Sequence, residues 1–90
     1  MLYMIIEDFR GAPEAVYRRF RDQGRLAPEG LRYVNSWVTK DLQRCYQVME
    51  CEDPRLLEQW MERWSDLVTF EVIPVMTSPE AAAIIIPPKV

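Results

Sequence analysis

The chain has 90 residues, 49% of them hydrophobic, with a formal charge of −3 and no histidine. That length suits one domain with one modest core, and the acidic balance opposes a phosphate backbone, which excludes nucleic acid as a partner. The longest apolar runs, LYMII and AAAIII, are far too short to cross about 30 Å of hydrocarbon, so no membrane partner is expected.

The segment LYMIIEDF, Leu2 to Phe9, reads as a strand apolar on both faces, so both faces should be covered. It has no positive region before it and meets Glu7, Asp8 and Arg10 at once, unlike a secretory signal, and a cytoplasmic location is expected. Gly11-Ala12-Pro13 breaks the strand. Pro13 suits the first turn of a helix running to about Gln23, with Glu14 at its positive dipole end and Gly24 as its cap. Val16, Tyr17 and Phe20 form the inward stripe of that helix. Arg18, Arg21 and Arg25 follow on another side, tempting as an anion site but better read as a solvated face.

After a Pro/Gly-containing connection, the run Leu31 to Cys51 reads as two strands of a hairpin around a Lys40-Asp41 corner. A three-residue loop would bring Tyr33, Asn35 and Trp37 to the same face as Cys45, Gln47 and Met49. A two-residue loop would separate them, because a one-residue slip turns every side chain over. The first register is the one adopted. Cys45 and Cys51, on one extended strand, lie about 20 Å apart and beyond disulfide reach. Two free thiols fit a reducing compartment, and Cys45, with no histidine to activate it, reads as a small core residue.

Asp53 is a good helix N-cap with Pro54 in the first position. Leu56, Leu57, Trp60, Met61 and Trp64 make one broad face for that second helix. Leu67 to Val75 is a β-branched strand that should end at Pro74 or lie at an edge there. MTSPEAAA then allows a turn and one short helical turn. The domain is expected to span residues 1–83, leaving a tail over 84–90 that is either frayed or, the reading favoured, adds its three isoleucines to a sheet edge of this chain or of a partner.

Strand, helix, strand, strand, helix, strand is the order of a ferredoxin-like α+β sandwich, a four-stranded antiparallel sheet with two helices on one face. The second face carries apolar side chains that need a cover. The simplest cover is a second copy, giving a homodimer through the open sheet face. The MLYMIIEDF strand, the PEGLRYVNSWV segment, the RCYQVMECEDPRLLEQWMERWSDLVTFEVIPV block and the TSPEAA ending together resemble the small bacterial proteins of the domain of unknown function 3303 family. That resemblance implies membership of the dimeric α-β barrel superfamily and a homodimer, but no activity. Relatives in that superfamily include cofactor-independent oxygenases and isomerases of small, often aromatic molecules, haem binders, and plain dimeric modules.

Without histidine the chain lacks the usual haem ligand, the commonest metal ligand and the commonest neutral-pH base, and neither metal nor cofactor is expected. The candidate ligand-binding set is Tyr33, Asn35, Trp37, Cys45 and Gln47, amides to orient a carbonyl or hydroxyl and an indole to stack on a planar ring. In the competing reading these groups satisfy one another inside a solid, non-catalytic dimeric or protein-interaction module. Glu7, Asp8 and Glu50 lie nearest strand ends. One would become a general base if burial raised its pKa, but all three read as solvated. Whether the protein is an enzyme stays open at this point.

Overall fold

Strand β1 (Leu2–Phe9) lies inside the sheet, and within the chain only its Tyr3, Ile5 and Glu7 face is buried, not both faces as the sequence suggested. The structure, a computed structural model, describes residues 1–86. β1 pairs antiparallel with β3 (Arg44–Glu50) on one side and β4 (Val68–Val75) on the other, and β2 (Arg32–Val38) completes the order β2-β3-β1-β4. β4 is therefore an edge strand, which accommodates Pro74 without breaking a central ladder.

Helix α1 (Pro13–Gln23) follows β1, and helix α2 (Arg55–Glu62) follows β3. With the antiparallel sheet this is the ferredoxin-like α+β fold. Gly24 ends α1 at φ +72°, its N–H bonded to the Phe20 carbonyl at 2.8 Å. α2 starts one residue later than the sequence suggested, with Pro54 and not Asp53 at its N-cap, while the Asp53 carboxylate just before it accepts the Arg55 N–H at 3.0 Å. α2 stops at Glu62, so Trp64 lies in the turn after it rather than on the helix.

The helices cover the face that carries Tyr3, Ile5, Glu7, Cys45, Gln47 and Met49. There Ile5, Met49, Leu57, Trp60 and Val68 form the driest part of the core. α1 buries none of its residues completely, and Tyr17 and Phe20 keep 44% of their surface exposed. It is tied down at one point instead, where Arg19 holds Asp66 through two bonds of 2.8 and 2.6 Å and caps the Arg63 carbonyl at 2.9 Å.

The segment after β4 differs from expectation. Ser78–Ile85 is a third helix, α3, with a capping box between Thr77 and Glu80. Ile84 and Ile85 are thus helical and not an added edge strand, because the cap and the Ala81-Ala82-Ala83 run carry the helix past the single turn that the sequence suggested. The remainder of the expected tail, 87–90, lies outside the described residues. Among the described residues, no helix is long and apolar enough to cross a membrane.

Candidate functional site

The hairpin register decides which side chains meet. Thr39 and Arg44 close the loop, the Thr39 N–H bonding the Arg44 carbonyl at 2.9 Å, while the Asp41 carboxylate takes the Thr39 hydroxyl and the Gln43 N–H. This loop, Lys40 to Gln43, has an even number of residues and sets Val38 opposite Cys45, Trp37 opposite Tyr46, and Ser36 opposite Gln47. A bulge between Tyr33 and Asn35 then shifts the pairing by one, so Tyr33 stands opposite Met49.

The five expected site residues are consequently split. Cys45, Gln47 and Tyr33 face the helices. Asn35 and Trp37 face the other way, across from Val48 and Tyr46, and Trp37 is 55% exposed. Asn35 bonds its neighbour, accepting the Ser36 N–H at 2.8 Å, and takes no part in a network with Gln47. Ser36 and Val38 occupy the places that Asn35 and Trp37 were expected to fill.

Between α1 and the sheet is a half-open cleft of about 150 Å³. Its floor is Glu7 and Phe9 of β1, Cys45 and Gln47 of β3, and Ser36 and Val38 of β2. Its roof is Val16, Tyr17 and Phe20 of α1, and Trp60, Trp64 and Arg25 close its sides. An apolar space of roughly that volume accepts one benzene-sized molecule.

Glu7 is the residue that the sequence reading misplaced. It is 8% exposed, not solvated, because strand alternation turns it inward with Ile5 while Asp8 turns out to pair with Arg44. Burial pushes its pKa up to about 7, and the Cys45 thiol across the strand and the positive charge of Arg25 offset only part of that effect. Beyond that thiol, no described residue donates a hydrogen bond to its carboxyl. Burial and the nearby Glu7 push the Cys45 thiol up to about 12, so it stays neutral and is no nucleophile near neutral pH. Gln47, also buried, donates to Met49 Sδ at 3.2 Å, and no described residue donates to its Oε1. The inward alternation of LYMIIEDF was the signal available for Glu7, since it places position 7 with Tyr3 and Ile5.

Arg25 is held from both ends. Its carbonyl accepts the indole N–H of Trp60 at 3.1 Å and of Trp64 at 2.9 Å. Its guanidinium lies over the rings of Tyr33, at 3.7 Å, and Phe20, at 5.1 Å. Among the described residues no group of three or more His, Cys, Asp or Glu side chains is placed to hold a metal ion.

No curated protein and no solved structure matches this sequence. A family model does match, over residues 1–87, nearly the whole chain. The chain belongs to the family described as domain of unknown function (DUF3303).

Proposed function

We propose that this protein binds one small planar molecule in the cleft between α1 and the sheet, and that it does so as a homodimer of the dimeric α-β barrel kind. The observation that carries the first part is the pairing of Glu7 and Gln47. Both line an aromatic cleft, and because no fully buried side-chain N or O among the described residues lacks a partner, the hydrogen-bonding capacity they keep faces the open cleft. Open space of this size also speaks against a solid core. The second part rests on the uncovered sheet face, where Leu2, Met4, Ile6, Val48, Ile73 and Trp37 lie together. Ion pairs of both signs, Asp8–Arg44 and Arg32–Glu50, lie toward its opposite ends, a layout that a two-fold interface satisfies with itself. Both cysteines are free, as a reducing cytoplasm permits.

Trp60 and Trp64 line the cleft and report its occupancy. Titration with small neutral aromatics such as phenol and benzamide is expected to change their fluorescence saturably, and Val16→Phe, which fills the roof, is expected to abolish the change. A linear, non-saturating response in both proteins would remove the binding reading.

A further inference from the structure

Among the described residues, Arg25 is a cation fixed in place and left without a counterion. Arg25 belongs to no helix, since α1 ends at Gln23. Its backbone is pinned by two buried tryptophans, and the next residue, Leu26, takes the left-handed φ of 62° while its carbonyl accepts Arg63 Nη1 at 2.6 Å. The rings of Phe20 and Tyr33 lie against the guanidinium. Stacking of this kind covers the faces of the planar group and leaves its N–H edge for in-plane bonds. No carboxylate among the described residues is within ion-pair reach of that edge; Arg19, Arg21, Arg32, Arg44 and Arg55 are paired, and of the unpaired Arg10, Arg18, Arg25 and Arg63 it is Arg25 that lines the cleft.

Resting on the small-molecule reading above, we infer that the cleft takes a small aromatic monocarboxylate, its ring between Phe9, Tyr17 and Trp60 and its carboxylate on the free edge of Arg25. The fork of a guanidinium matches a carboxylate in shape as well as charge. Glu7 then acts in its neutral form, donating a hydrogen bond to the ligand instead of repelling it. The groups that face Glu7 are consistent with that state: the Cys45 thiol from β3 and the Tyr17 phenol from α1 are neutral near pH 7, and Arg25 is the one positive charge. Bringing a second negative charge into the cleft raises the proton affinity of Glu7 further, so binding takes up a proton and weakens as pH rises through about 7.

Tryptophan fluorescence titrations of the full chain with benzoate, benzamide and benzylamine test this. Benzoate is expected to bind at least about tenfold more tightly than benzamide at about pH 6, with benzylamine weakest. Arg25→Met, which keeps the stem, is expected to erase the preference for benzoate over benzamide; Arg25→Lys should retain part of it. Glu7→Gln should keep benzoate binding and flatten its decline between about pH 6 and 8. Tighter binding of benzylamine than of benzoate, or benzoate affinity untouched by Arg25→Met, overturns the inference. Equal binding of benzoate and benzamide overturns it too while leaving the small-molecule reading in place, whereas no saturable response to any of the three removes both.

Discussion

Glu7 stands opposite Cys45 on one side and Phe70 on the other, inside a sheet face otherwise devoted to apolar packing. A carboxyl in that position makes stability depend on pH in a definite direction. Its pKa in the folded chain is about 7 against an ordinary 4.5, so between those values the folded state holds a proton that the unfolded state has lost. Stability from this group is therefore fully present below about pH 4.5 and is lost as pH rises through about 7. Glu7→Gln removes the titration while keeping the shape. Urea denaturation should show the variant close to the parent at about pH 4.5 and more stable by up to about 3 kcal/mol at about pH 8. A parent and variant that differ by the same amount at both pH values would show that Glu7 titrates in the fold as it does in the unfolded chain. A protein that keeps such a residue forgoes stability at neutral pH, which fits a role for the carboxyl in binding rather than in folding.

The elements were far more legible than the contacts between them. Pro13 and Gly24 bounded the first helix, Asp53-Pro54 marked the start of the second to within a residue, and Pro74 called for an end or an edge to the fourth strand, because these residues act locally and need no distant partner. The hairpin register was not legible in the same way. It depends on side chains of Thr39 and Asp41 closing an even loop and on a bulge beside Val34, and no periodicity announces either. That single parity moved Asn35 and Trp37 out of the candidate site and brought Ser36 and Val38 in. Arg25 escaped for a related reason: helical spacing grouped it with Arg18 and Arg21, but the chain leaves the helix before reaching it. The connection that carries it is fitted closely. Gly30 has φ +94°, and a Cβ there would lie 3.0 Å from Leu56 Cδ1, whereas Gly11 has open space around it. Gly30→Ala is expected to cost on the order of 1–2 kcal/mol in denaturant unfolding, and Gly11→Ala a few tenths at most. Equal effects would mean that the connection does not dock tightly on α2.

At the scale of the whole molecule, two apolar surfaces have nothing over them among the described residues of a single chain. One is the open sheet face, with Trp37 at 55% and Ile73 at 39% exposure; the other is α3, none of whose residues is buried, with Ile84, Ile85 and Ile86 at 67, 77 and 79%. Exposed apolar area of that extent is costly in water at about 25 cal/mol per Å² and marks an interaction surface. If a second copy covers the sheet face, light scattering at micromolar concentration gives about twice the chain mass. Trp37→Lys combined with Ile73→Lys then puts like charges into the interface and yields a monomer that keeps its far-ultraviolet circular dichroism. Deleting the residues after Ala83 separates the two surfaces. Because α3 buries nothing within its own chain, the deletion should leave the unfolding of the monomeric double variant unchanged. It should weaken association of the otherwise native chain only if α3 reaches across to the partner. A native chain that runs as a strict monomer at every concentration would leave both surfaces bare and undo the homodimer proposal, while the cleft under α1, built wholly from one chain, would keep its own test.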